Sequence, residues 1–414
     1  MELSLKRHRT PSALERNPVV ALVCDAIYPY SHGGREFRYQ ALLPRLAERV
    51  DMHVYTMHWW EGPKVFTGDG VTYHAISTLL PMYIKGRRSI RQALTFGFAC
   101  LRMLACHFDV LDADHIPYVQ LFALRVVATL KRKPLVVTWH EVWSRSYWCS
   151  YLGWVGWAFW AIESLAMRMP DHIIAASPQT EERLREIIGK RASITTIPNG
   201  TDIATIARAR PCPEGSDIIA VGRLIEHKRI DVLLDVVAAL RAHGAPVRCR
   251  VVGDGPEREN LQEKARALGI ESSVEFRTDV NDQTELYSLI KASSLFISLS
   301  EREGFGMAVL EAIACGTRVL TTSAPDNLAQ HLVERYTRGI VCNPGVEEVI
   351  SAVVQILAVP DQNPTEGSFT DPWVADYDWQ AMIERVINVY TTGGDVLEVD
   401  RTPVTVLELQ GENS

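Results

Sequence analysis

Two acidic residues flank a glycine-rich turn in the stretch EREGFGMAVLEAIACG, which spans residues 301 to 316. Glu303 lies just before Gly304 and Gly306, and Glu311 lies eight positions after Glu303 in a helical pattern. Glycines let the backbone approach a ligand closely, and the free N–H groups at a helix start attract phosphate. Carboxylates beside such a turn can accept hydrogen bonds from sugar hydroxyls. Taken alone, the same acidic pair also fits an exposed loop followed by a capped helix.

A second pattern places two cations near the start of a helix. In VGRLIEHKRIDVLLDVV, Gly222 and Arg223 end a predicted strand, and Lys228 opens the next helical pattern five residues later. Two cations at a helix start suit a diphosphate, because they stabilise negative charge that develops on a leaving group. A basic loop that faces solvent is the alternative interpretation.

The turn SHGGRE follows the first predicted strand and precedes a helical pattern, which is again a favourable place for phosphate. Gly33 and Gly34 are its candidate phosphate contacts, while His32 and Arg35 are either acceptor contacts or turn residues. The pattern G-x-G-x-x-G is absent here, and VGDGPER at 252–258 lacks the third glycine. The sequence therefore argues against an NAD-dependent oxidoreductase.

An aromatic segment, WSRSYWCSYLGWVGWAFW, carries large rings at successive spacings of three residues. Such a period drifts against the 3.6 residues of a helical turn, so the rings wind around a single helix and one core does not cover them all. One interpretation is a bulky buried helix. The other is that Trp148, Trp154 and Trp157 form a wall for an apolar or ring-shaped acceptor, or a belt at a membrane surface.

Short apolar runs alternate with longer helical patterns along the chain, and the alternation restarts once near residue 205. This order predicts two doubly wound α/β domains, each with a parallel sheet covered by helices. We assign residues 18–205 to the first domain, 206–372 to the second and 378–392 to a closing amphipathic helix. Residues 1–17 form an N-terminal extension and 393–414 a tail.

The composition of the 414 residues is that of a globular chain, with a net charge of −7 and 47% hydrophobic residues. The negative charge argues against nonspecific nucleic-acid binding. Eight cysteines without a C-x-x-C pair indicate reduced thiols and favour the cytoplasm. The chain start lacks the apolar run of a signal peptide, and we expect no spanning helix. The basic stretch KGRRSIRQ precedes an amphipathic pattern and suggests either peripheral contact with anionic lipid at the inner membrane face or a solvated surface.

The segment LFISLSEREGFGMAVLEAIACGTRVLTT resembles the signature of the family-4 retaining glycosyltransferases of GT-B architecture. In that family a strand, E-G-F-G, E-A-x-A-C-G and another strand follow in this order. The resemblance covers most of residues 18–392 and implies two Rossmann-like domains that face a cleft. It further implies that the first domain binds an acceptor and the second a UDP- or GDP-sugar, with transfer to an acceptor hydroxyl and retention at the anomeric carbon.

The resemblance also implies roles for individual residues. Glu303 contacts the hydroxyls of the donor sugar, Glu311 contacts the nucleotide ribose, and the backbone that follows Glu303 contacts the diphosphate. The implied catalytic residues are His140, Glu303, Arg223 and Lys228. The implied donor contacts are Gly33, Gly34, Gly222, Arg223, Lys228, Glu303, Gly304, Phe305, Gly306, Met307 and Glu311.

The segment Asp112-Ala113-Asp114 resembles the D-x-D motif of metal-dependent transferases, but it lies near a strand end within a GT-B pattern. Because Arg223, Lys228 and backbone amides can carry the diphosphate charge, we expect no metal requirement and treat Asp114 as a candidate acceptor contact. The acceptor itself is a sugar, a lipid-linked molecule or another small molecule. Rival interpretations are a GT-B phosphorylase or sugar-phosphate synthase, or an inactive relative that binds an active enzyme.

Overall fold

The computed structural model of the chain describes residues 17–31, 33–84, 87–280, 282–359 and 371–392. His32, the tail and all but the last residue of the predicted N-terminal extension lie outside these residues. The described chain forms two α/β units, each built on a parallel sheet. The predicted fold class is therefore confirmed.

Eight strands of the first unit form one sheet, and two short strands form a separate hairpin. In chain order these strands are β1 Val19–Val23, β2 Asp51–Met57, β3 Val65–Gly68, β4 Val71–Ser77, β5 Tyr83–Ile84, β6 Arg87–Arg88, β7 Val110–Asp114, β8 Leu135–Trp139, β9 His172–Ala175 and β10 Ile194–Thr196. The sheet has the order β10-β9-β8-β7-β1-β2-β4-β3, and β3 pairs antiparallel with β4. Strands β5 and β6 form the antiparallel hairpin.

Continuous apolar runs form the central strands, because both faces of a parallel sheet are covered. All five residues of β1, β7 and β8 are buried. Along β1, Val19, Ala21 and Val23 enter the core on one face, while Val20 and Leu22 enter the core on the other. This alternation is the two-residue period of a strand.

The helices of the first unit cover both faces of its sheet. They are α1 Gly34–Ala47, α2 Ile90–Ala99, α3 Tyr118–Lys131, α4 Arg145–Leu152, α5 Gly156–Ala166 and α6 Pro178–Ile188. The next helix, α7 Ile203–Arg208, packs in a core of the second unit. Within the described ranges, no helix combines the length and the hydropathy needed to cross a membrane.

The expectation of a single helix through the aromatic segment is wrong. Helix α4 ends at Leu152, a 3-10 turn covers Gly153–Val155, and α5 begins at Gly156 and packs back against α4. Gly153 has φ of 64°, and a Cβ on Gly156 would lie 2.0 Å from the carbonyl oxygen of Trp148. Glycine therefore permits both the turn and the close approach of the two helices.

The second unit has a six-stranded parallel sheet of order β13-β12-β11-β14-β16-β18. Its strands are β11 Ser216–Val221, β12 Cys249–Val252, β13 Val274–Arg277, β14 Ser293–Ser298, β15 Arg302–Glu303, β16 Arg318–Thr322, β17 Asp326–Asn327 and β18 Gly339–Cys342. Strands β15 and β17 form a separate parallel pair. Its helices are α8 Ile230–Ala242, α9 Arg258–Ala267, α10 Gln283–Lys291, α11 Met307–Ala314, α12 Gln330–Arg335 and α13 Val346–Ala358.

The last helix, α14 Trp379–Thr392, returns to the first unit and packs against α1. Trp379 and Met382 are buried in the core of the first sheet, and the hydroxyl of Tyr390 donates to Oδ2 of Asp112 at 2.5 Å. Two chain segments therefore join the units, one after β10 and one before α14. The exact domain boundary at residue 205 stays a prediction.

Candidate active site

The glycine-rich turn of the second unit lies between β14 and α11. Gly306 has φ of 92°, and a Cβ on it would lie 2.4 Å from Cβ of Ala329, so this position requires glycine. Phe305 turns inward and is buried in the core of the second unit. The turn therefore leads the chain from a sheet edge into the start of α11, where backbone N–H groups have no helical partner.

This turn faces the first unit across a narrow cleft. A Cβ on Gly304 would lie 3.1 Å from the carbonyl oxygen of His140, which directly follows β8. A Cβ on Gly34, at the start of α1, would lie 3.8 Å from Sδ of Met307. The structure thus brings together three segments that are far apart in sequence: the first glycine turn, the end of β8 and the second glycine turn.

Lys228 and Glu303 form a direct ion pair on the second-unit side of the cleft. Lys228 ends a 3-10 turn, Glu226–Lys228, and both side chains of the pair are about one-fifth exposed, at 21% and 22%. Gly222 lies beside the pair, since a Cβ there would be 3.9 Å from Cε of Lys228. A cation, an acid and a glycine backbone therefore meet at one point of the cleft.

Arg223 lies at the same sheet edge but is exposed. Its guanidinium carbon is 5.9 Å from the ring centroid of Tyr83, which belongs to the β5–β6 hairpin of the first unit. The hairpin is held to the first sheet by an ion pair between Arg88 and the buried Asp25. A cation of the second unit and a ring of the first unit therefore border the same opening of the cleft.

Glu311 lies on α11, two turns from the ion pair, and accepts a hydrogen bond from the hydroxyl of Tyr287 at 3.3 Å. Burial raises the pKa of Glu311 to about 7, although the hydrogen bond from Tyr287 opposes this change. Burial therefore favours the protonated form of this carboxyl group more than it does for an ordinary glutamate. Ligand hydroxyl groups that donate to it would favour the ionised form.

A buried charge cluster occupies the first-unit side. The guanidinium of Arg35 lies 2.7 Å from a carboxylate oxygen of Glu36 and 3.3 Å from those of Asp25 and Asp114. Burial alone would lower the pKa of Arg35, but these carboxylates outweigh it and raise the pKa well above its usual value. Glu36 also lies under Gly33, where a Cβ would be 2.6 Å from its Oε2. Arg35 is thus committed to protein carboxylates.

Asp114 connects this cluster to His140, whose Nε2 lies 3.2 Å from Oδ2 of Asp114. Burial opposes ionisation of Asp114, yet Arg35 and the neighbouring histidines hold its pKa well below the usual range. Burial lowers the pKa of His140 even though Asp114 raises it, so the site favours the neutral ring. Asp114 is fully buried and orients His140, which places it behind the cleft and away from an acceptor.

The ligand atoms of Asp114, His115 and His140 lie within 4.8 Å of one another, a spacing that a metal ion can bridge. The guanidinium of Arg35 already pairs with Asp114, and a second cation there would be repelled. This arrangement favours an ion-paired cluster over a metal centre.

The three tryptophans of the aromatic segment have different environments. Trp148 is buried, and its Nε1 donates to Oε2 of Glu163 at 2.6 Å, so it belongs to the interior. Trp154 is 90% exposed and Trp157 is 55% exposed. The two expected environments, core and surface, are therefore both present in one segment.

Arg302 makes a contact that bridges the two units and that the sequence pattern did not predict. Arg302 bonds the hydroxyl of Tyr147, its guanidinium carbon lies 4.5 Å from the ring centroid of Trp143, and its Nη2 is 3.5 Å from Oε1 of Glu141. These residues line a pocket next to Glu303. The only sequence signal was the position of Arg302 beside Glu303, because a charged loop residue ordinarily faces solvent.

Two family models match the chain: Glycosyltransferase Family 4 at residues 32–205 and Glycosyl transferases group 1 at residues 206–364. Glycogen synthase of Mycobacterium tuberculosis (strain ATCC 25618 / H37Rv) is 28% identical over 264 residues, 62% of this chain and 63% of that protein. GDP-mannose:cellobiosyl-diphosphopolyprenol alpha-mannosyltransferase of Komagataeibacter xylinus is 28% identical over 237 residues, 55% of this chain and 58% of that protein. The matches thus span less than two thirds of each relative.

Solved structures share the fold of the whole described chain. Sucrose-phosphate synthase from Thermosynechococcus elongatus superposes with a TM-score of 0.73 and 19% identity, covering 91% of this chain and 99% of that chain. Anabaena HepE in complex with UDP-glucose gives a TM-score of 0.67 and 17% identity, covering 90% and 99%. The chain therefore has the GT-B fold.

The Arg302 contact gives a prediction about domain closure. Replacing Arg302 with Met removes a charge-assisted hydrogen bond and a cation–π contact, together worth about 1 to 3 kcal/mol. We expect the cleft of Arg302→Met to open more often and its radius of gyration, measured by small-angle scattering, to increase. Arg258→Met is the matched control, because the nearby carboxylate of Arg258 is Asp254 of the same unit. Equal radii for Arg302→Met and the wild type would contradict the bridging role.

Proposed function

This chain belongs to glycosyltransferase family 4, and we propose that it transfers a hexosyl group from a UDP- or GDP-sugar to an acceptor hydroxyl with retention of the anomeric configuration. The observation that carries the proposal is the ion pair of Lys228 and Glu303 beside a glycine turn that faces His140. A diphosphate needs a cation and an open backbone, and the sugar attached to it needs a carboxylate that accepts hydrogen bonds from its hydroxyls. Lys228, the glycine turn and Glu303 supply these groups at one place.

The donor would lie along the second-unit side of the cleft. Glu311 binds the ribose hydroxyls, the N–H groups of residues 304–307 bind the diphosphate, and Glu303 binds hydroxyls of the transferred sugar. Gly33 and Gly34 let the first unit approach the phosphates from the opposite side. The name of the K. xylinus relative specifies GDP-mannose and the HepE complex contains UDP-glucose, which supports the two donor classes to be tested first.

We propose a same-face reaction, in which the acceptor oxygen attacks the anomeric carbon on the same side from which the leaving group departs. The bond between the acceptor oxygen and the anomeric carbon forms as the bond from that carbon to the phosphate oxygen breaks. The bonding electrons leave with the nucleoside diphosphate, and the acceptor proton moves to a phosphate oxygen. Lys228 and Arg223 stabilise the charge that grows on the diphosphate. Neutral His140 contacts the transferred sugar, and Asp114 acts as its positioning residue.

We also propose that the enzyme needs no metal ion, because these two cations and the α11 start face the diphosphate. A cytoplasmic location is supported by the eight cysteines, all of which are free.

The function is tested by incubating the chain with UDP- and GDP-sugars in EDTA and measuring the release of free nucleotide. We expect at least one donor to release free nucleotide, and an acceptor to increase the rate of release. NMR of the glycosylated product should show the same anomeric configuration as the donor sugar. Activity that EDTA abolishes and Mg²⁺ or Mn²⁺ restores would contradict the metal-free proposal. An inverted product would contradict the same-face reaction.

The raised pKa of Glu311 predicts that donor affinity depends on pH. Since ribose hydroxyls donate to the ionised carboxylate, protonation below a pKa of about 7 competes with binding. Affinity for a nucleotide sugar should therefore rise with pH and be about 10-fold weaker at pH 6 than at pH 8. A nucleotide sugar is the correct probe, because its diphosphate diester does not titrate in this range.

In calorimetric titrations, Glu311→Gln should bind more weakly at pH 8 and lose most of the pH dependence. Glu334→Gln is the control, since Glu334 is exposed on α12. A wild-type affinity that does not change between pH 6 and pH 8 would refute the ribose role of Glu311.

Lys228 and Arg223 predict a loss of turnover that exceeds the loss of binding. Because charge on the diphosphate grows as the glycosidic bond breaks, Lys228→Ala and Arg223→Ala should each lower kcat about 10²-fold, with smaller changes in donor affinity. Arg248→Ala, an exposed arginine of the same unit, should retain activity. Full activity in Lys228→Ala or Arg223→Ala would show that the replaced cation does not stabilise the leaving group.

A further inference from the structure

Three helices of the first unit form a surface that the proposed reaction does not explain. Helix α2 packs against α3, and α3 packs against α5, so the three lie side by side. Their outward positions and the 3-10 turn before α5 carry large apolar side chains, and we call this surface the α2–α5 face. Its most exposed members are Ile90, Phe98, Leu130, Trp154, Trp157 and Leu165.

These side chains point away from the core, which is filled by other residues of the same helices. Phe96 of α2 and Cys100, which directly follows α2, are buried, whereas Phe98 between them is 71% exposed. On α3 Leu124 and Val127 are buried, whereas Leu130 points outward. A single exposed apolar residue is ordinary, but a cluster on three adjacent helices indicates a surface with a binding partner.

The charge of the face identifies the class of partner. Residues 88–108, 115–134 and 142–162, which supply its helices, contain no Asp or Glu, although the chain as a whole has 50 acidic and 43 basic residues. Arg91 and Arg132 are exposed there, and Lys131 is partly exposed. The nearby acid Glu163 is buried. Asp109 and Asp171 lie at the border of these ranges, where they pair with Lys133 and Arg125. Arg91 and Arg132 remain as exposed cations, so the apolar surface has a basic border that is complementary to anionic lipid.

A second copy of the chain fits this face less well. A symmetric dimer would place the same surface on both sides and bring two basic borders together without acids to pair them. Exposed tryptophans such as Trp154 are also typical of the membrane–water interface, where an indole keeps one edge in water.

We propose that the α2–α5 face docks on the surface of an anionic lipid bilayer. The face is continuous with the cleft, because the β5–β6 hairpin leads directly into α2 and its Tyr83 lies beside Arg223. Docking would therefore hold the cleft opening near the headgroups. This inference rests on the proposed glycosyl transfer: an enzyme whose cleft lies near the headgroups would take its acceptor hydroxyl from a membrane-bound molecule.

Vesicle flotation tests the docking itself. The full chain should float with phosphatidylcholine vesicles that contain about 30% phosphatidylglycerol, more weakly with pure phosphatidylcholine, and less at high salt. Phe98→Ser and Trp154→Ser should each reduce binding to the anionic vesicles about 10-fold, because each removes an inserting side chain. Arg91→Gln should reduce it about five-fold.

Matched controls lie on the second unit. Val354→Ser removes an exposed apolar side chain of α13, and Arg248→Gln removes an exposed charge. Both should float like the wild type. Melting temperatures should be nearly unchanged in all five variants, because every replaced side chain is exposed.

Three results would overturn the proposal: no flotation with anionic vesicles, equal loss in the controls, or a dimer in gel filtration that Phe98→Ser dissociates. The last result would assign the face to a second copy.

Measuring donor hydrolysis without vesicles distinguishes the membrane-docking proposal from the proposed glycosyltransferase function. Hydrolysis without flotation would refute docking alone, whereas flotation without hydrolysis would refute the proposed function alone.

Discussion

A buried guanidinium fixes the first-unit half of the cleft. Arg35 is surrounded by Asp25 at the end of β1, Glu36 in α1 and Asp114 at the end of β7. A charge removed from water is stable only when it is paired and hydrogen-bonded, so these elements have one favourable relative arrangement. Asp25 extends the cluster to the β5–β6 hairpin through Arg88, and Asp114 extends it to His140. The position of His140 and that of the hairpin thus depend on the same cation.

The two units are held together by contacts of different kinds. Helix α14 buries Trp379 and Tyr390 in the first unit, which makes the covalent crossover part of a hydrophobic core. Across the cleft, Arg302 contacts Tyr147 and Trp143 through partly buried polar and cation–π interactions. Polar contacts exchange for water at small net free energy, whereas core packing does not. The helix α14 crossover therefore stays packed, whereas polar contacts such as those of Arg302, and the Arg183–Asp326 ion pair, can exchange for water if the cleft opens.

Much of the fold could be predicted from local patterns. The apolar runs at 19–23 and 135–139 are strands in the structure, because a buried parallel strand needs a nearly continuous apolar stretch. The hairpin of β3 and β4 was missed, since its exposed edge strand lacks such a run. The aromatic segment was predicted as a single helix, because periodicity does not reveal where a glycine will turn the chain.

The same limit applies to the site. The glycine turn, Glu303 and Lys228 were identified because their residue types suit phosphate and sugar, and the structure brings these two side chains into contact. The roles of Arg35 and Asp114 were less accessible from sequence. Their spacing of 79 residues carries no periodic signal, and only the folded sheet places both charges at one buried point. Tyr83, Tyr287 and Arg302 were missed for the same reason, since each acquires its role from a partner distant in sequence.

The ion pair of Lys228 and Glu303 gives the proposed donor site a way to read two groups at once. In the structure, Glu303 neutralises Lys228 and keeps the partly buried ammonium from remaining unpaired. In the proposed function, a bound diphosphate would offer Lys228 a second anion, which would weaken its attraction to Glu303 and leave that carboxylate able to accept hydrogen bonds from sugar hydroxyls. The sugar would then replace part of the hydrogen bonding that Glu303 loses. Nucleotide and sugar would thereby be recognised together, because the diphosphate would engage the cation and the sugar would satisfy the acid that the cation releases.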